Sequence, residues 1–410
     1  MPQASNLSTS RRALMKGTIA ALPLAGYGRQ RSAPAATDKL LAYVGTYSSP
    51  QGPEGSKGRG EGIYLFEFDR GSGTLSQRNL FPNASNPAWL AFNPSRTHLY
   101  SANETTTYKG SASGSVSAYA IDRSNGNLKL LNTVSSEGMG PAHLSVHPSG
   151  KYVFVANYAG GTIAVLPIDQ SGELGQPTDV KTDSGTPGAE KASSAPRGTF
   201  AISGHEKPHA HFIKSDSSGR FVLHCDLGLD RIFVWKFDES TGKLTPNDPP
   251  DIRFPSGDGP RHFTFHPNGR WLYSLQEEGS TVVAFDWDKK RGRATAVQTI
   301  STLPPGFVGT NFTAEIMIAP GNKFLYVSNR LHDSIAWFSI GPNGRLTYAG
   351  EEWTRGDYPR HFNTDPSGDF LFSCNQRSDA ITTYRVNRKT GALAFTGKYT
   401  AVGTPAIIIF

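Results

Sequence analysis

From residue 40 onward, apolar and polar positions alternate in short runs of six to nine residues. The runs are separated by Gly, Asn, Asp and Ser, the pattern of strands joined by tight turns. One unit reads Pro-x-x-apolar, then Pro-x-Gly, then an apolar strand ending in Asn or another polar residue. Copies start at Asn86-Pro87, Gly140-Pro141, Lys207-Pro208, Gly259-Pro260, Thr313 and Tyr358-Pro359. Each is followed by a second alternating strand and a Gly turn. These second strands are Gly62–Asp69, Gly114–Asp122, Gly161–Asp169, Asp230–Asp238, Ser280–Asp288, Asp333–Gly341 and Asp379–Asn387. The first pattern occurs six times and the second seven. The seventh copy is divided between the ends: Pro405-Ala406-Ile407 matches Pro87-Ala88-Trp89, and Val44-Gly45-Thr46-Tyr47 matches Val155-Ala156-Asn157-Tyr158. A repeat of about 50 residues with four strands, split across both termini, predicts an all-β protein. The expected fold is a seven-bladed β-propeller with four antiparallel strands per blade, its ring closed by the divided blade. A solenoid would need capping repeats instead.

Composition supports a packed core, with 37% apolar and 11% aromatic residues. No run of 18 apolar residues predicts a transmembrane helix. The net charge of +7 misleads, because Arg11, Arg12, Lys16, Arg29 and Arg31 carry five of those charges in an acid-free stretch. No basic patch for nucleic acid survives in the rest. Ser10-Arg11-Arg12-Ala13-Leu14-Met15-Lys16, an apolar stretch and Ala33-Pro34-Ala35 resemble a twin-arginine signal peptide over residues 1–35. The expectation is export to the periplasm, with 36–410 as one propeller domain, monomeric and without a membrane anchor. Cys225 and Cys374 fall in different blades, too far apart for a disulfide.

In a propeller the first strand of each blade lines the central channel. The start of strand one and the end of strand two therefore share one channel mouth. The first set holds His143, His209, His211, Arg261, His262, Glu315, Arg360 and His361; the second holds Glu104, Asn157, Asp226, Glu277, Arg330 and Gln376. Copies elsewhere carry Trp89, Ala142, Ala314, Ala406 and Ile407, so these departures from the repeat mark the candidate site. His209 and His211, two apart on a strand, share a face. Two imidazoles with carboxylates suit a metal, but no third ligand stands at recognisable spacing, and no metal or cofactor is expected. Three arginines at one mouth suit a carboxylate or phosphate, or pair with Glu104, Glu277 and Glu315. His147 and His266 sit in turns on the opposite face. The Gly/Ser/Ala/Pro-rich insert Lys181–Glu206 and loops 48–61 and 105–113 emerge on the mouth side as a rim or lid.

Several segments carry a resemblance that spans residues 40–410. They are Tyr43-Val44-Gly45-Thr46-Tyr47, Gly259-Pro260-Arg261-His262 with Glu277, and His209-Ala210-His211 with Asp226-Leu227-Gly228. Glu315 with Ser328-Asn329-Arg330 and Pro359-Arg360 with Asn375-Gln376 complete the set. The chain resembles the lactonase-type seven-bladed propellers, which include bacterial 6-phosphogluconolactonases and fungal carboxy-cis,cis-muconate cyclases. The resemblance implies His211, Arg261, Glu277 and Arg330 as catalytic residues. It leaves open which of His209 and His211 corresponds. His143, Asn157, His209, Asp226, Glu315, Arg360, Gln376 and Glu104 are expected to bind substrate. The expected reaction is hydrolysis of an anionic sugar-type lactone, with Arg330 and Arg360 on the anion, Arg261 on the oxyanion, and Glu277 or His211 as base. Export favours an unphosphorylated lactone. A lactonising cyclase and a non-catalytic binding propeller are the alternatives.

Overall fold

The computed structural model describes residues 40–50, 57–200 and 204–410. The targeting segment expected over 1–35 lies outside these residues. Among them, 28 strands form seven four-stranded antiparallel sheets. The innermost strands are β4 (Pro87–Phe92), β8 (Pro141–Val146), β12 (Ala210–Ser215), β16 (Pro260–Phe265), β20 (Thr313–Ile318), β24 (Pro359–Thr364) and β28 (Pro405–Ile409). The divided blade forms as expected. β1 (Leu40–Thr46) pairs with β28 on one side, Val44 opposite Ile408, and with β2 (Gly62–Asp69) on the other. No helix among the described residues is long and apolar enough to cross a membrane.

The core lies between blades, because each sheet is apolar on both faces and buries each against a neighbour. One cluster joins Val44, Phe66 and Phe68 of the divided blade to Phe370, Phe372 and Cys374 of the blade before it. Another joins Tyr273, Leu275 and Ala284 to Ile316, Val327 and Phe338. Cys225 and Cys374 are both buried, free, and in separate clusters.

A polar clasp reinforces these interfaces. The hydroxyls of Tyr43, Tyr100, Tyr273 and Tyr326 donate to the carbonyls of Gly126, Gly172, Gly344 and Gly391 at 2.6–3.1 Å. Each acceptor lies in the outer hairpin turn of the next blade and has φ between 77° and 89°, a conformation that favours glycine.

Candidate active site

The innermost strands carry the same irregularity. Pairing with the second strand shifts register between Pro87 and Trp89, Pro141 and His143, Ala210 and Phe212, Pro260 and His262, and Pro359 and His361. β20 shifts between Thr313 and Ile316. Such a bulge places two residues opposite one and re-aims a side chain. Consecutive residues therefore both serve the channel, at different depths. The outer position holds Ala88, Ala142, His211, Arg261, Ala314, Arg360 and Ala406. The inner position holds Trp89, His143, Phe212, His262, Glu315, His361 and Ile407.

The outer position opens on a cavity of about 290 Å³, within the small-ligand size class. His211, Arg261, Arg360 and Ala142 line it. Alanine at the other outer positions leaves the room. The residue following each second strand supplies the wall: Glu104, Tyr158, Glu277 and Arg330, with Thr105–Thr107 at the edge.

Glu277 is the hub. Its Oε2 lies 2.7 Å from Arg261 Nε and 2.7 Å from Arg330 Nη2. All three side chains are buried. Two guanidiniums on one carboxylate oxygen give a rigid, net cationic group, which is costly to bury without further partners. Arg261 Nη1 donates to the Ala314 carbonyl and to His262 Nε2 at 3.1 Å. Nη2 makes no hydrogen bond among the described residues. Burial, and then the charge of Arg330, bring the Arg261 guanidinium down to about 10. Arg330 Nη1 donates to the Tyr358 hydroxyl at 3.2 Å, and Nη2 to the Thr313 carbonyl. Arg360 lies over the Tyr47 ring at 5.3 Å, and the Tyr47 hydroxyl donates to Glu104 at 2.8 Å.

His211 is buried, and its Nδ1 has no hydrogen-bond partner. Burial, then the charges of Arg261, Arg360 and Arg330, hold its imidazole well below the usual range. The imidazole is therefore neutral and keeps a lone pair, while burial and the three guanidiniums oppose its taking a proton until negative charge develops beside it.

The structure brings His211, Arg261, Glu277, Arg330, Arg360 and Glu104 together and places the other expected residues elsewhere. His143 and Glu315, with His361, line a separate cavity toward the opposite channel mouth. They occupy the inner bulge position, one residue beyond the outer one. Asn157 and Asp226 end their second strands and turn into the blades. Asn157 Nδ2 donates to the Ser136 carbonyl and to Thr162 Oγ1. Asp226 Oδ1 accepts from the His209 and Leu229 amides at 2.9 Å. Burial and the neighbouring Asp183 push the Asp226 carboxyl up. Gln376 is buried but does not line the cavity. His209 does not share a face with His211: it stacks on Tyr158 at 4.2 Å and meets the Tyr158 carbonyl and Glu206. The bulge at His211 breaks the alternation that would have aligned them.

Tyr158 was missed. It follows Asn157 as Glu104 follows Asn103, and that one-residue offset would have found it. Of the expected rim, Thr105–Thr107 reach the cavity. The described part of the insert does not line it. The insert crosses blades instead, pairing Arg197 with Val308 and donating from the Ala189 amide to Ser256.

Between the two cavities, inner-position rings narrow the channel to a pocket of about 10 Å³ beside Trp89 and His262. Trp89 contacts His143 at 4.4 Å and His262 and His361 at 5.4 Å, while Phe212 contacts His143 at 3.9 Å and His262 at 4.6 Å. The cavities share no lining residue.

Comparison with known proteins agrees with this architecture. A 6-phosphogluconolactonase of Bacillus subtilis is 31% identical over 91% of this chain and 98% of its own length. One from Pectobacterium atrosepticum is 33% identical over 82% of this chain and 90% of its own. The solved structure of a periplasmic gluconolactonase from Pseudomonas aeruginosa superposes with a TM-score of 0.79 at 28% identity, covering 90% of this chain and 99% of that one. The family described as "Lactonase, 7-bladed beta-propeller" matches residues 41–410. The chain belongs to that family and is a lactone-hydrolysing enzyme.

Proposed function

We propose that the enzyme hydrolyses an unphosphorylated sugar-type lactone in the His211–Arg261–Glu277–Arg330 cavity. One observation carries the reading. Arg261 is held at Nε by Glu277 and at Nη1 by Ala314 and His262, with Nη2 left for substrate, next to an unpartnered neutral imidazole. Nη2 donates to the lactone carbonyl oxygen, and more strongly as that oxygen becomes an oxyanion. His211 takes a proton from water as the water oxygen bonds to the carbonyl carbon. The tetrahedral intermediate collapses, the acyl carbon–ring oxygen bond breaks, and the ring oxygen leaves with the proton from His211. The product is an open hydroxy acid, which ionises at neutral pH. Glu277 holds two guanidiniums with one oxygen, which suits a brace better than a base.

The charge of the cavity bears on the substrate. Arg261, Arg330 and Arg360 face Glu104 and Glu277, one net positive charge with His211 neutral. That complements one developing oxyanion or one product carboxylate. A phosphate ester would bring a further charge of about −1.5 to −2. Glu104 and Thr105–Thr107 suit sugar hydroxyls. The Arg11-Arg12 segment supports action in the periplasm, checked by the N-terminal mass of the protein in a periplasmic extract.

The test is acid release in a pH-stat with the full chain, on glucono-1,5-lactone and 6-phosphogluconolactone in parallel. Faster turnover of the first is expected, and Arg261→Ala should lower kcat by about 10²- to 10³-fold. Wild-type rates equal to spontaneous hydrolysis on both substrates would sink the proposal; a strong preference for the second would overturn the substrate.

A further inference from the structure

We infer that His262 and Glu315 act as a positioning pair that fixes Arg261 from the channel side, so that the presentation of its Nη2 depends on a carboxyl group that never touches substrate. This rests on the hydrolytic reading above and deepens it.

The chemistry of the donors sets the direction of each contact. A guanidinium only donates. Arg261 Nη1, 3.1 Å from His262 Nε2, therefore requires a lone pair on Nε2. The ring proton is then on Nδ1, which lies 3.3 Å from Glu315 Oε1 and donates to it. That oxygen also accepts the Ile316 amide at 3.0 Å, and the Glu315 amide donates to Ser328 Oγ at 3.0 Å. The carboxylate is thus held by its own strand and the next, and both side chains are buried. The ring of His262 is further fixed between Phe212 and Trp89. The chain Glu315–His262–Arg261 crosses from the inner to the outer bulge position. A structural ion pair would have stopped at Arg261–Glu277, 2.7 Å apart. The extra link adds orientation rather than charge.

The pair also carries a pH signature. Burial holds the His262 imidazole well below its usual range, so it stays an acceptor at working pH. Burial pushes the Glu315 carboxyl up to about 8, against the lowering effects of Arg261 and Lys214. The groups facing it are His262 and Arg261 from β16, His361 from β24 at 3.6 Å, and Lys214 from β12. Ionisation above about 8 places a negative charge against His262 Nδ1–H. That makes Nε2 a stronger acceptor and holds Arg261 more firmly.

The experiment uses the full chain with glucono-1,5-lactone. Glu315→Ala is expected to lower kcat about fivefold with KM little changed, the loss of one buried hydrogen bond acting in the transition state. Glu315→Gln retains an acceptor and should restore at least half of kcat at pH 7. It should also lack the rise in kcat centred near pH 8 that is expected of the wild type. Wild-type kcat in Glu315→Ala, or the same pH 8 rise in Glu315→Gln, would overturn the inference. A second readout is independent of turnover. ¹⁵N NMR of histidine-labelled protein, with His262→Asn to assign the signal, should find His262 protonated on Nδ1. Protonation on Nε2 overturns the pair even if the enzyme is active. If the wild type fails to turn over any lactone but the Nδ1 proton is found and its resonance shifts in Glu315→Ala, as loss of its acceptor requires, the pair stands and the hydrolytic reading falls.

Discussion

His211 shows how much of this site is electrostatic environment rather than residue identity. Its imidazole is neutral because it is buried and because three guanidiniums surround it. An anion binding among those guanidiniums relieves the second cause and makes His211 more basic as the oxyanion forms. In the free enzyme the acid limb of kcat/KM should lie below about 6.5, the ordinary histidine value. Removing one cation raises the pKa of a neighbouring imidazole. Arg360→Ala is therefore expected to move that limb upward in pH, as well as weakening turnover. A pH–rate profile that stays in place would exclude His211 as the group that titrates.

At the scale of elements, one bulge repeated around the ring separates the two tiers of the channel. Strands, turns and the divided blade were legible in the sequence because alternation and Gly turns state them directly. His211, Arg261, Glu277, Arg330, Arg360 and Glu104 were legible as departures from the repeat. The tiers were not. Period-two alternation cannot register an extra residue whose side chain also points inward, so His143 and Glu315 read as neighbours of Arg261 and Arg360. The same one-residue ambiguity selected Asn157 in place of Tyr158, and Asp226 in place of Leu227. The blade clasps belong to this scale too. Tyr273→Phe loses the bond to the Gly344 carbonyl while keeping the ring. A stability loss of about 1 kcal/mol is expected by urea unfolding, with activity unchanged. No loss would mean that ring packing alone holds that interface.

For the whole molecule, closure depends on close approach at one glycine. A Cβ on Gly45 would stand 2.2 Å from the Pro87 carbonyl oxygen and 2.9 Å from an Ile407 methyl, where the divided blade meets its neighbour. Gly45→Ala should destabilise the ring by about 2–3 kcal/mol, seen as a lower thermal midpoint of a single transition. An unchanged midpoint would show that the seam can give.

The layer of Trp89, His143, Phe212, His262 and His361 has a last consequence. A ring of blades looks like a pipe, yet these five rings pinch it at mid-depth, where the space left between Trp89, His211, Arg261 and His262 is only about 10 Å³. The open hydroxy acid, an anion beside three guanidiniums, therefore has to break away from the same charges that favoured the oxyanion before it.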